Sequence, residues 1–289
     1  MNWEETIRHI WTQEQFSQLV HDAYFGPDLA DNITRFRESE EFRETLQEIE
    51  ALAGKGPHRI LDVGCGNGIS SIAFALEGHT VTGIDPDPSE IVGIGAARQM
   101  AEHFAVAERC HFFEGTSEDY KEQDASFDIV YARQAMHHAR ELSDFVAVPA
   151  GKLRSGGLFV TVRDHALYNE SELETFLNHH PLHKFYGGEH AFTLDQYRRA
   201  FADARLTIKK EYGHYDSVIN YSPLSKAKRE RMVQEEADKI KASLRSKIPV
   251  LGGTALAYQV YTRLRFDPRQ LENERNIPGR NYSFFAIKS

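Results

Sequence analysis

The stretch RILDVGCGNGISSIAFALEGHTVTGID, residues 59–85, decides the fold. Arg59 to Val63 is a short apolar run with the β-branched content of a buried parallel strand, and Gly64, Gly66 and Gly68 follow at once. A strand therefore feeds a glycine turn. Ile69, Ile72, Ala73 and Leu76 recur at helical spacing, so the turn opens a helix whose free amides can meet a ligand. Val81 to Ile84 reads as a second strand with Asp85 at its carboxyl end, where an acidic side chain can accept hydrogen bonds from both hydroxyls of a ribose. Lacking β-carbons, the glycines let the backbone turn sharply and approach that ligand closely.

A dinucleotide fingerprint wants a third Gly or Ala where this chain has Ile69. The spacing of Asp62, Gly64, Gly66 and Gly68, with Asp85 about twenty residues on, instead resembles motifs one and two of the class I S-adenosylmethionine-dependent methyltransferases. Three further stretches extend the resemblance. GTSE, residues 115–118, follows a third strand predicted over His111–Glu114, with Thr116 where the family usually has Asp or Asn, then the matching small and acidic pair Ser117 and Glu118. FDIVYARQAMHH, residues 127–138, resembles motif four, and LRSGGLFVTV, residues 153–162, resembles the turn and strand that come after it, with Ser155 in place of proline. The likeness is to small-molecule methyltransferases of the quinone-biosynthesis type, over roughly Arg59–Gly213 and the terminal strand.

The resemblance implies a fold, a cofactor and a set of residues. The fold is α/β: a Rossmann-like, doubly wound seven-stranded sheet whose last strand, within Asn281–Lys288, is antiparallel beside a sixth at Leu206–Tyr212. Helical segments at the N-terminus and late in the chain are added to it. The cofactor is S-adenosyl-L-methionine, held by Asp62, Gly64, Gly66, Gly68, Asp85, Pro86, Thr116, Ser117, Glu118 and Arg133. The reaction is transfer of its methyl group to an O, N or C nucleophile of a small molecule.

For proton transfer the sequence offers His138, and Asp164 with His165, which would make a base if hydrogen-bonded to each other. His137 and His138 either act at the site or satisfy backbone groups, and Asp164 with His165 can equally be a strand-end turn. The segment from Ala166 to Phe192 holds His179, His180, His183 and His190 without cysteine partners or a helical His-x-x-x-His pair, so no metal is expected. Two other classes stay open: a nicotinamide-dependent oxidoreductase, opposed by Ile69, and a non-catalytic cofactor-binding interaction module.

Composition bounds the partners. Lys and Arg number 34 against 43 Asp and Glu, a formal charge of −9, so an extended polyanion such as nucleic acid meets an unfavourable average field. Val250 to Tyr261 is nearly uncharged but too short to span a bilayer, and MNWEETIRHIWTQEQ has no basic start or apolar run of a signal peptide. Cys65 and Cys110 provide no disulfide framework. A cytoplasmic protein without stable membrane insertion is expected, with a homodimer left open.

Three units are expected: an N-terminal helical extension over 1–56, a cofactor-binding domain over 57–220 and 279–289, and a helical insertion over 221–278. In the insertion Val233, Ala237, Ile240, Leu244 and Ile248 form a helical stripe. The extension, with Tyr24, Phe25, Arg35 and Arg37, and the insertion are both read as lids over the substrate side.

Overall fold

The computed structural model describes residues 1–121, 125–248, 252–273 and 276–289. Four helices come first: α1 (Trp3–Trp11), α2 (Ser17–Asp22), α3 (Leu29–Glu38) and α4 (Glu40–Ala53). Asn2, Asp28 and Ser39 cap α1, α3 and α4 by accepting a backbone amide on a side-chain oxygen, which satisfies donors that a helix start leaves free. Strands and helices then alternate as β1 (Arg59–Val63), α5 (Ile69–Leu76), β2 (Thr80–Asp85), α6 (Ile94–His103) and β3 (Cys110–Glu114). After these come β4 (Phe127–Arg133), α7 (Leu142–Lys152) and β5 (Leu153–Leu167). The helices α8 (Leu173–His179) and α9 (His183–Tyr186) lead to a short strand, β6 (Phe192–Thr193), and on to α10 (Leu194–Asp203) and β7 (Leu206–Tyr212). Finally α11 (Val218–Tyr221), α12 (Lys226–Lys247) and α13 (Ala255–Leu264) precede β8 (Arg280–Lys288).

The main sheet runs β3-β2-β1-β4-β5-β8-β7, with β6 paired off this path to β5. Its strands are parallel except β8, which is antiparallel to both β5 and β7. The expected seven-strand path is therefore present, and β6 adds an eighth strand.

Alternation along the strands builds two cores. Ile60, Ile129, Tyr131, Leu158, Val160 and Phe285 face one layer, while Leu61, Val130, Ala132, Phe159, Phe284 and Ala286 face the other, as a period of about two residues requires. Helices α3, α4 and α5 cover the first face through Phe36, Phe42, Ile49 and Phe74, and α7 and α10 cover the second through Val146, Tyr197 and Phe201. This corrects the reading of the whole N-terminal extension as a lid. Phe36, Phe42 and Ile49 are buried in the central core, so α3 and α4 are part of the scaffold.

Within the insertion, Ala237, Ile240 and Leu244 are buried as the stripe predicts, but Ile248 is exposed because it lies just past the last turn of α12. Residues 250 and 251 of the uncharged stretch lie outside the described residues, and α13 occupies most of the remainder. Among the described residues, no helix is long and apolar enough to cross a membrane.

Candidate functional site

Strand order reverses between β1 and β4, and in an open α/β sheet the crevice at the carboxyl ends there is where ligands bind. The glycine turn crosses this edge. Gly64 and Cys65 donate their amides to the Ile84 carbonyl at 2.8 and 3.1 Å, which folds the turn back over the end of β2. Gly64, Gly66 and Gly68 all have positive φ, at 72°, 52° and 78°. At Gly64 a β-carbon would sit 2.6 Å from that of Ala135, so space as well as conformation demands glycine.

Asp85 is fastened to the turn. Its Oδ2 accepts from the Gly66 amide and its Oδ1 from the Asp87 amide, each at 2.9 Å. Burial raises its carboxyl above the ordinary value, with the two amides acting against it. A carboxylate has about four acceptor positions, so roughly two remain for a ligand. Beside it, the Gly115 amide donates to the Asp85 carbonyl at 3.0 Å, which brings Thr116, Ser117 and Glu118 to the same edge. Thr116 is engaged with Asp119 Oδ2 through its hydroxyl at 2.8 Å, and Ser117 donates to Glu118 at 3.1 Å. Pro86 is exposed just beyond Asp85.

Asp62, near the end of β1, is buried and turned to Ser71 on α5. Its Oδ2 accepts from the Ser71 hydroxyl at 2.6 Å, and burial pushes its carboxyl up to about 7 despite that bond.

Arg133 ends β4 and is bound to groups of the protein itself. Its Nε donates to Glu41 Oε1 at 2.7 Å and its Nη2 to Oε2 at 3.3 Å, while Nη1 goes to Gln134 at 2.9 Å. Arg163 lies 3.5 Å from the same Glu41 carboxylate. Burial alone would raise Glu41, but the two guanidiniums hold it below its ordinary value. Arg133 therefore locks α4 to the sheet edge. Gln134, just past the end of β4, and Arg163, at the irregularity where β5 pairs with β8, both have left-handed φ, at 51° and 62°, a conformation that side chains tolerate only when the surroundings impose it.

The histidines gather at the carboxyl ends of β4 and β5. His137 Nδ1 lies 3.0 Å from Asp164 Oδ1, which also accepts the His137 amide at 3.1 Å. Glu189 is 3.6 Å from the other ring nitrogen. Burial disfavours the His137 cation, yet these two carboxylates raise it to about 9. His138 bonds through Nδ1 to the Gly188 carbonyl at 3.0 Å, and burial followed by the neighbouring His137 cation pushes it down to about 4.

The expected Asp164–His165 pair is not formed. Consecutive strand residues diverge, so Asp164 takes His137, while His165 Nδ1 goes to the Gly279 carbonyl at 2.6 Å. His179 is exposed and bonded to the Thr175 carbonyl within its own helix. Glu189 and Glu41 were not singled out by the sequence reading. The signal for Glu189 was a lone acid after Gly187-Gly188 in a histidine-rich segment; Glu41 had none beyond an acid at a helix start.

Two segments reach this edge. The apolar face of α1, with Ile7 and Ile10, packs on Val92 and Leu182, and Ser89 donates to Glu4 at 2.6 Å. The insertion begins where Arg163 donates to the Ser222 carbonyl at 2.8 Å and returns at Gly279, beside His165. A separate cleft of about 320 Å³, lined by Arg98, Glu102, Cys110, His111 and Phe112, lies near the amino end of β3, opposite the edge that holds Asp85.

Comparison with known proteins agrees with this geometry. Residues 61–161 match a family model described as a methyltransferase domain. The chain is 32% identical over 150 residues to the uncharacterized methyltransferase YcgJ of Bacillus subtilis, covering 50% of this chain and 54% of the relative. It is 29% identical over 190 residues to a ubiquinone biosynthesis O-methyltransferase of Bradyrhizobium, covering 64% and 69%. The first match thus spans little more than half of that relative's length. Among solved structures, the fold is similar to geranyl diphosphate C-methyltransferase from Streptomyces coelicolor in complex with Mg2+, geranyl diphosphate and S-adenosyl-L-homocysteine. The TM-score is 0.58 at 12% identity, over 91% of this chain and 84% of that one.

Proposed function

We propose that the chain carries a methyltransferase domain of the class I, S-adenosylmethionine-dependent kind and transfers a methyl group from S-adenosyl-L-methionine to a small-molecule acceptor with an O, N or C nucleophile. The observation that carries this reading is the Asp85 carboxylate, anchored to the Gly66 amide at the sheet's switch point with acceptor capacity left over. When bound, the cofactor supplies an electrophilic methyl on a sulfonium sulfur. In this reading Asp85 holds the ribose hydroxyls, Gly64, Gly66 and Gly68 allow close backbone approach, and Pro86, Thr116, Ser117 and Glu118 border the adenine. Asp62 acts from below by fixing the turn, and Arg133 by fixing α4.

Such a transfer needs chiefly alignment and exclusion of water, which together can supply several kcal/mol. The roots of the insertion beside Arg163 and His165 support residues 221–278 as a lid over the 57–220 and 279–289 domain, and α1, within 1–56, as its counterpart. Where the nucleophile must lose a proton, His138 is the base. Its Nδ1 is turned to a carbonyl, so Nε2 carries the lone pair, and its side chain is 37% exposed. Asp164 orients His137, and His165 is held by Gly279, so neither is assigned the proton transfer. The net charge of −9 supports a small acceptor over nucleic acid, and a cytoplasmic location fits the same reading.

Calorimetric titration with S-adenosylhomocysteine and, separately, NADH tests the cofactor, and transfer of labelled methyl into pools of phenols, amines and acids tests catalysis. Binding of NADH alone would replace the reading with an oxidoreductase. Cofactor binding without transfer to any acceptor class would leave a binding module.

A further inference from the structure

His137, His165 and Glu189 come from the short helical turn after β4, from β5 and from the loop after α9, and one ligand atom from each lies within 4.8 Å of the others. Their outward hydrogen bonds fix which ring nitrogen would meet a cation once the proton on His137 is displaced. His137 turns Nδ1 to Asp164 at 3.0 Å and His165 turns Nδ1 to the Gly279 carbonyl at 2.6 Å, so in each neutral ring the lone pair is left on Nε2. A ring N–H held by a carboxylate or a carbonyl is the usual support behind a metal-binding imidazole.

Glu189 adds an independent observation. Its side chain is only 6% exposed; Oε1 accepts from the Tyr186 hydroxyl, yet buried Oε2 has no hydrogen-bond partner. His137 Nε2, at 3.6 Å, is the near group, too far for a hydrogen bond. Leaving a buried carboxylate oxygen unpaired is costly unless something cationic meets it. His180, 15% exposed, turns an unpartnered Nδ1 toward the same carboxylate at 3.6 Å.

We infer that His137, His165 and Glu189 form a binding site for one divalent first-row transition ion, with Asp164 as the positioning residue behind His137 and His180 at its border. Two imidazoles and a carboxylate suit zinc and its neighbours, whereas Mg2+ and Ca2+ prefer oxygen-only sets. Ligand atoms about 2.1 Å from a common ion stand roughly 3.4 Å apart in a tetrahedral set, so loading draws the widest pair together by up to about 1.4 Å and leaves the His137–Glu189 pair, at 3.6 Å, nearly where it is. The inference reverses the expectation of no metal, which considered only histidines close in sequence; these ligands come from segments far apart in the chain. It concerns binding and holds whether or not methyl transfer is the reaction.

The test uses the full chain stripped with a chelator, titrated with zinc chloride by calorimetry, and assayed for retained metal by mass spectrometry after gel filtration. One zinc per chain is expected. Glu189→Gln and His165→Gln should each weaken binding by roughly 100-fold or more, while Asp164→Asn should weaken it by about 10–100-fold with the stoichiometry kept. His179→Ala, at an exposed histidine outside the cluster, should bind as wild type. Absence of stoichiometric zinc in the wild type, wild-type affinity in Glu189→Gln, or equal loss in His179→Ala would each overturn the site. Should a variant fail to fold, X-ray absorption on the zinc-loaded wild type decides: two imidazole ligands at about 2.0–2.1 Å support the site, and a shell without imidazole refutes it.

Discussion

Replacing Glu41 by alanine should cost the fold about 3–5 kcal/mol, because it strands two buried guanidiniums. The carboxylate is 2% exposed and lies between Arg133 at 11% and Arg163 at 12%. It accepts two hydrogen bonds from Arg133, at 2.7 and 3.3 Å, and stands 3.5 Å from Arg163. Arg163 keeps the Ile219 and Ser222 carbonyls as acceptors and Arg133 keeps Gln134, but none of these carries a full negative charge. Urea unfolding at neutral pH, followed by circular dichroism, should show a lower midpoint with an unchanged slope. Glu44→Ala is the control: its partner Lys226 is 47% exposed, and an exposed pair is worth about 1 kcal/mol or less. Since the guanidiniums hold Glu41 below its ordinary value, its contribution is present above the ordinary carboxylate pKa and lost as pH falls through the folded-state value. A loss below about 1 kcal/mol at neutral pH, or one no larger than that of Glu44→Ala, would refute the reasoning.

Other outcomes follow from the same edge of the sheet. Asp85→Ala should leave the fold intact and weaken S-adenosylhomocysteine binding by about 2–4 kcal/mol through loss of charge-assisted hydrogen bonds; wild-type affinity by calorimetry would end the ribose assignment. Gly66→Val should be as damaging to binding, since φ is 52° there and a β-carbon would already stand 3.3 Å from the Val92 carbonyl oxygen; tight binding by this variant would reduce the turn to a structural role. Asp62 is raised by burial from 3.8 to about 7, so the folded state holds its proton more firmly than the unfolded chain. Its contribution is complete below 3.8 and disappears as pH rises through about 7. Asp62→Asn should therefore flatten the fall in stability across that window, by up to about 4 kcal/mol in thermal or urea melts compared at its two ends; an unchanged slope would count against a buried, protonated Asp62.

Where periodicity and length agree, the sequence reads almost directly onto the structure: β1, α5 and β7 have the expected bounds. Helix α6 starts only at Ile94, after a turn in which the Ser89 hydroxyl accepts the Ile91 and Val92 amides. β5 runs from Leu153 to Leu167, well beyond the apolar Leu158–Val162, since pairing with β4 and β8 overrides the turn signal of Ser155-Gly156-Gly157 and the polarity of Arg163 to His165. Of the site, the glycine turn and Asp85 were legible because both lie in one local motif. The partner of Arg133 was not: Glu41 is 92 positions away, and no local pattern reports a bond of that reach. The same holds for Glu189, which meets His137 only after the chain has crossed the sheet edge and returned.

β8 has a consequence for biosynthesis. It fills the gap between β5 and β7, yet β7 ends at Tyr212 and β8 starts at Arg280, with α11, α12 and α13 between them. A ribosome adding about 5–20 residues per second leaves the facing edges of β5 and β7 unpaired for several seconds while the intervening helices emerge. Unpaired strand edges invite association with other chains. The nascent protein thus passes through a sticky interval that closes only when Phe284 and Phe285 reach the two cores. A chain cut before Arg280 should accordingly aggregate or bind hydrophobic dyes; cooperative, native-like unfolding of such a fragment would show that the sheet can close without β8.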